Sequence, residues 1–246
     1  MVLMKVIFPI NYNPMRTVEL PNERAVGVKT KKIEILPDNA IEIFKEVALS
    51  TKSDKNLNFR FGPAFVFALN TGLREGELVT ISKNGICSDK SNHPYIHISE
   101  TVSRVKNRDS KIKTHYVTIV TPPKYPRSVR NVPLNQESLH CLKLMEKYYT
   151  TPNPSRDDFI ITTSTGNIPT ARNLQDAFDR ILKACNLQHY GLHSLRHTFC
   201  TKLLQKTNNL RDIKTVAAIM GDDYKVILRT YLHQDEDNKY VLVSSL

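Results

Sequence analysis

Apolar residues recur along most of this chain at the three-and-four spacing of a helix that buries one face. Ile41, Phe44 and Ala48 share such a face in a helix starting at Pro37-Asp38, with Asp38 placed to cap its first turn. A second helix is expected over about 59–70, burying Phe61, Phe65, Ala68 and Leu69, and Gly72 supplies its stop. Arg74 then opens the next helix, where free backbone N–H groups favour a nearby anion. Further helical periods run over 136–149, 171–185, 193–206 and 210–220, and a last one leads into Tyr231. The middle of the chain changes period. Segments 95–98, 101–105, 116–120 and 129–134 are rich in β-branched residues and read as strands. Between the last two lies Thr121-Pro122-Pro123-Lys124-Tyr125-Pro126-Arg127, a turn dense in proline and positive charge. The expected fold is mainly α with a small antiparallel β-sheet on one edge, an α+β arrangement.

The start of the chain does not fit this pattern. Pro9, Pro14 and Pro21 interrupt it and Lys29, Lys31 and Lys32 make it basic, so residues 1–35 read as an extended linker or remnant. A unit over 36–233 follows, and then a tail over 234–246. In the tail, Tyr240-Val241-Leu242-Val243 is apolar and strand-like, suited to packing on its own domain or on a neighbouring protomer. With 40% hydrophobic residues, 246 residues supply a core for one large domain. Charge narrows the partners: Lys and Arg number 35 against 24 acids, and the net +11 attracts polyanions, be they DNA, RNA or a membrane surface. Cys87, Cys141, Cys185 and Cys200 are scattered, without zinc-site spacing, and fit a reducing cytosol. The N-terminal apolar stretch is cut short at Pro9, and no apolar run approaches membrane-spanning length. A soluble, cytoplasmic chain is expected.

Candidate chemistry lies in two distant segments. One is Thr71-Gly72-Leu73-Arg74-Glu75-Gly76-Glu77-Leu78; the other is Leu192-His193-Ser194-Leu195-Arg196-His197-Thr198-Phe199, followed by Tyr231. Two arginines, a histidine and a tyrosine near the C-terminus suffice for covalent, metal-free DNA cleavage. Each guanidinium can grip phosphate oxygens through two prongs, and a phosphotyrosyl ester conserves the energy needed to reseal the strand. In order and in kind these motifs resemble the catalytic domain of the tyrosine recombinases, the phage-integrase family. The resemblance covers roughly residues 33–233. It implies that family's mainly α fold and site-specific DNA strand exchange through a 3′-phosphotyrosyl intermediate. It further implies double-stranded DNA attachment sites as partner, self-association into a tetramer on paired sites, and no metal or nucleotide cofactor. The stretch from Asn13-Pro14 to Leu20-Pro21 is similar to the family's linker, which implies a DNA-binding domain upstream of this chain.

Residue by residue, the resemblance makes Tyr231 the nucleophile, within Leu228-Arg229-Thr230-Tyr231-Leu232-His233 and ten positions after Gly221. A half-buried structural tyrosine is the competing reading. Arg74 and Arg196 take the non-bridging phosphate oxygens. Arg74 also faces Glu77 one helical turn on, and a carboxylate there would fix its orientation. His193 binds a phosphate oxygen or shuttles the tyrosine proton. With His197 it also has the spacing of a helical zinc site, but no glutamate lies between them and no third ligand stands out beyond His189. His197 itself is expected to be a core histidine bonded to the backbone.

Lys124, in a segment that ends in Val132-Pro133-Leu134 as the family's does, is the expected donor of a proton to the leaving 5′ oxygen. Lys106, Lys111 and Lys113 are its rivals, and a solvated basic turn is the plainer reading. One position departs from the family: after Met220-Gly221 a histidine or tryptophan is usual, and here stands Asp222. A carboxylate accepts hydrogen bonds and repels phosphate, leaving Lys225 or His233 to compensate. Two other functions compete. One is a DNA-binding remnant without cleavage activity, and the other is a type IB topoisomerase, which uses a comparable residue set.

Overall fold

The computed structural model describes residues 33–108, 116–207 and 209–231. Expectations for the linker over 1–32, for Lys111 and Lys113, for His233 and for the tail lie outside the described residues. Eight helices are described: α1 Asp38–Leu49, α2 Gly62–Thr71, α3 Glu75–Leu78, α4 Gln136–Tyr148, α5 Ala171–Ala184, α6 His193–Leu204, α7 Leu210–Met220 and α8 Tyr224–Tyr231. Among the described residues there are five strands, β1 Ile86–Ser88, β2 Pro94–Ile98, β3 Thr101–Lys106, β4 Tyr116–Thr121 and β5 Arg130–Pro133.

Helix α1 buries Ala40, Ile41, Phe44 and Ala48, the stripe its spacing marks. Its cap differs from expectation. Pro37, held extended, is the N-cap, and Asp38 lies one position inside the helix, where its carboxylate pairs with Lys202 of α6. A capping side chain must sit on the extended residue, and proline has no oxygen there to offer. Helix α2 is buried on every side from Gly62 to Leu69, not along one stripe, because α1, α4, α5 and α6 all pack on it. Phe65 of α2 and Phe44 of α1 both meet the ring of Phe178 edge-on, at 5.4 and 5.5 Å between centroids. A smaller apolar cluster joins α6, α7 and α8 through Cys200, Leu204, Val216, Ala217, Met220 and Ile227, and Tyr231 packs at its edge.

The strands form two antiparallel sheets where one was expected. One has the order β1-β2-β5, and β3 pairs with β4 in the other. The prolines after β4 explain the split: Pro122, Pro123 and Pro126 offer no N–H to a ladder and carry the chain across to the other sheet. Lys124 therefore sits on a connection between the two sheets, not on a turn between paired strands. In β5 the alternation turns Arg130 and Val132 inward, and Arg130 pairs in register with Ile98 of β2. All four cysteines are free thiols. Among the described residues no helix is long and apolar enough to cross a membrane.

Candidate active site

Two left-handed glycines bring the site together. Gly72 ends α2 at φ 64° and Gly221 ends α7 at φ 65°, a conformation that costs other residues strain. Space is also denied: a β-carbon on Gly72 would strike Phe199, and one on Gly221 would strike the guanidinium of Arg130. Both carbonyls then point at arginines. Arg196 donates from Nη1 to Gly72 O and from Nη2 to Met220 O, each at 2.6 Å, and Arg74 donates from Nη2 to Gly221 O at 3.3 Å.

Arg74 and Arg196 meet on Asp222. One carboxylate oxygen accepts from Arg74 Nη2, and the other accepts from Arg196 Nη2 at 2.6 Å. Arg196 is almost wholly buried, whereas about a third of the Arg74 side chain is exposed. Burial, and then the like charge of Arg74, lowers the Arg196 pKa, and Asp222 opposes that shift. The arginine pair thus needs an anion, and the residue that departs from the family pattern supplies one.

Glu77 stands behind Arg74, as expected. It accepts from the Arg74 backbone N–H and from Arg74 Nη1, both at 2.9 Å. The N–H groups opening α3 are therefore not the anion site foreseen for them, since α3 has only four residues and Glu77 takes the first donor. Glu77 also receives two bonds from Arg130, at 3.0 and 2.9 Å, and Arg130 donates further to Ile219 O at 2.7 Å and Ser128 O at 3.0 Å. Burial alone would raise the Glu77 pKa, but hydrogen bonding and charge from Arg130, and then Arg74, hold it below the usual carboxylate range. Sequence reading missed Arg130. The signal was an arginine at an inward position of a strand, which needs a buried counter-charge.

An open cleft of about 610 Å³ runs from this centre, lined by the cations Arg74, Lys124, Arg127 and Lys225 and by the acids Glu77, Asp222 and Asp223. Lys124 is exposed there, with Nζ over the ring of Tyr125 at 5.4 Å from its centroid. Of the two compensating residues suggested by sequence, Lys225 lines this cleft. Lys106, the described rival of Lys124, lies at the end of β3 opposite Tyr116 and not among the cleft residues.

His193 and His197 share one face of α6, edge to face at 4.9 Å. His189 pairs with Asp179 at 3.0 Å, so the three histidines do not converge as a metal set. His193 is open to solvent on one side. Its other side is buried, and that burial, followed by the charges of Arg196 and Arg74, lowers its pKa. His197 is not the backbone-bonded histidine expected: its Nδ1 meets the Tyr231 hydroxyl at 2.6 Å. Burial, then His193 and Arg196, pulls its pKa down to about 4, leaving the imidazole neutral at neutral pH. Tyr231 is shifted upward, mainly by burial and then by Cys200, so the phenol keeps its proton at rest. The i, i+4 spacing that suggested a metal site was the available signal for His197.

A pH dependence follows. The unfolded chain binds the His197 proton at about pH 6.5, while the folded chain resists until about 4. Stability should therefore be complete with respect to this group above pH 6.5 and fall as pH drops through that window, with His193 adding in the same direction. Thermal melts over this range should show the fall, and His197→Asn should flatten it. An equal slope in the variant would contradict the assignment.

A mainly α domain with small antiparallel sheets that brings two arginines remote in sequence to one point has the catalytic-domain fold of the tyrosine recombinases. The phage integrase family model matches residues 37–238, and the chain belongs to that family. A tyrosine recombinase XerC-like protein of Caldanaerobacter subterraneus subsp. tengcongensis is 27% identical over 233 residues, covering 89% of this chain and 56% of the relative. The chain thus spans little more than half the length of that relative. Among solved structures, the Tn1549 transposon integrase in complex with transposon right end DNA superposes at a TM-score of 0.69 with 24% identity. That match covers 89% of this chain and 67% of the other. The XerH site-specific recombinase bound to difH substrate gives a TM-score of 0.58 at 20% identity, covering 88% and 55%.

Proposed function

We propose that residues 36–233 are the catalytic domain of a site-specific DNA recombinase that cleaves and rejoins duplex DNA through a 3′-phosphotyrosyl bond on Tyr231. The observation that carries this reading is the convergence of Arg74 and Arg196, remote in sequence, on one carboxylate at the head of an open cleft that Lys124 also lines. Phosphoryl transfer asks a protein mainly for positioning and charge stabilisation, and paired guanidiniums supply both. In the proposed step the Tyr231 oxygen attacks phosphorus and passes its proton to the neutral His197 imidazole bonded to it. The bond from phosphorus to the 5′ oxygen breaks, and Lys124 protonates that oxygen. Arg74 and Arg196 hold the non-bridging oxygens, while His193 binds one of them or relays the tyrosine proton. The ester conserves the bond energy, so the reaction as written consumes no cofactor. The partner is double-stranded DNA carrying attachment sites, bound with self-association into a tetramer at synapsis. The relatives solved with transposon-end and difH DNA support a DNA partner. A cytoplasmic, nucleoid-associated protein fits that role.

The test is denaturing electrophoresis of the protein with a nicked half-site, read as a protease-sensitive shift of the DNA. No adduct on the true site, with any upstream domain restored, would leave the chain a DNA-binding remnant. Relaxation of supercoils without site preference would make it a topoisomerase. Lys124 has its own signature. Lys124→Ala should slow cleavage by about 10²–10⁴-fold, the usual worth of a general acid, with little loss of DNA binding. A 5′-bridging sulfur leaves without a proton and should restore most of that rate. Without such rescue the role passes to Lys106, Lys111 or Lys113.

A further inference from the structure

We infer that the Asp222 carboxylate is a resting stand-in for the DNA phosphate: it holds Arg74 and Arg196 together until a phosphate displaces it. The inference rests on the recombinase reading above and adds a role for the residue that departs from the family pattern. Two oxygens on one carbon here accept one bond from each guanidinium, the bridging arrangement that two oxygens on one phosphorus would make. Glu77 is shared by Arg74 and Arg130, so without Asp222 the 3% exposed Arg196 would face Arg74 with no carboxylate of its own in a partly dry site. A carboxylate that were purely structural would be locked in place, yet Asp222 is 26% exposed and lines the open cleft from which DNA would enter.

Its place in the chain favours movement as well. Gly221, Asp222 and Asp223 form the short link between α7 and α8, and α8 carries Tyr231. The Asp222 N–H is already satisfied by Ala217 O at 3.0 Å, so the side chain can leave without unmaking the end of α7. Asp223 is a natural control. It carries the same charge one residue on, but pairs at 2.8 Å with the half-exposed Arg127 and touches neither Arg74 nor Arg196. Displacing Asp222 costs two charge-assisted bonds, so the resting site should discriminate against weakly held anions. Asp222 acts through the arginines and is a positioning residue.

An anion-rescue experiment tests this without reference to cleavage. Thermal melts of wild type, Asp222→Ala and Asp222→Asn are compared in chloride and in inorganic phosphate at matched ionic strength. Both variants should melt lower than wild type in chloride and regain several degrees in phosphate, while wild type gains little. A second readout is non-covalent binding of a nicked half-site. Asp222→Asn should tighten it by about tenfold, the order expected when a competing charge-assisted bond need not be broken. Asp223→Asn should change it by less than about threefold, as for an exposed ion pair.

Equal phosphate gains in all three proteins, or none in the variants, would overturn the inference. So would variants that stay unfolded in both buffers, because Asp222 would then be a structural counter-ion that no oxyanion replaces. Failure of the recombinase reading is separate. It shows as no covalent adduct in wild type and leaves the phosphate result standing.

Discussion

Tyr231→Phe is expected to abolish the covalent protein–DNA adduct while leaving the fold and DNA affinity close to those of wild type. The substitution removes one oxygen and keeps the ring that packs against the small cluster of α6, α7 and α8. At rest the oxygen bonds His197 and interacts with the Cys200 thiol, contacts worth about 1 kcal/mol, so the loss of stability should be small. Its chemical role has no substitute. Cleavage should fall on the order of 10⁴-fold or more, as when other covalent nucleophiles are removed. At rest the hydroxyl is turned to His197 while the arginines are engaged with Asp222. Attack needs the oxygen about 3–3.5 Å from phosphorus, so DNA must bring the two halves of the site into line. An adduct that forms equally well with Tyr231→Phe would falsify the nucleophile assignment. Protease mapping of the adduct would then identify the residue that replaces it.

What the sequence made legible divides along physical lines. Arg74, Arg196, His193 and Tyr231 stand in motifs whose order and residue types point to one chemistry, and the structure brings both arginines to one point. Helices with a one-sided stripe, such as α1 and α7, were readable from periodicity, and α7 has the bounds its pattern marks. Helix α2 was only half read, because a segment apolar all round carries no phase to show that both faces are covered. Strand β1 has three residues, too few for alternation to register. The split into two sheets depended on where the chain goes after Pro122 and Pro123, a tertiary fact. Asp222 was read, from its charge alone, as unfit to donate to phosphate. Its partners were hidden, because pairing with Arg74 and Arg196 requires the α7 terminus to lie against the loop after α2. Arg130 escaped for the same reason: its counter-charge, Glu77, is contributed by a different element.

Arg130 carries the largest expected effect on stability. Arg130→Met removes a guanidinium that is 5% exposed and leaves Glu77, at 2% exposed, without its main counter-charge. Ile219 O and Ser128 O lose their donor in the same step. Breaking a buried pair from one side costs about 3–5 kcal/mol, because the remaining charge is left in a dry site. Denaturant titration should show this as a lower midpoint at an unchanged slope. Activity should fall as well, since Glu77 can no longer fix Arg74 from a settled position. Pairing the change with Glu77→Leu separates the two consequences. The double variant removes the stranded charge and should recover part of the lost stability, while cleavage stays low because Arg74 has lost the carboxylate behind it. A single Arg130→Met costing less than about 1 kcal/mol would mean that the pair is solvated and does not organise the site. A double variant that recovered full cleavage would show that Arg74 reaches its working position without a carboxylate behind it.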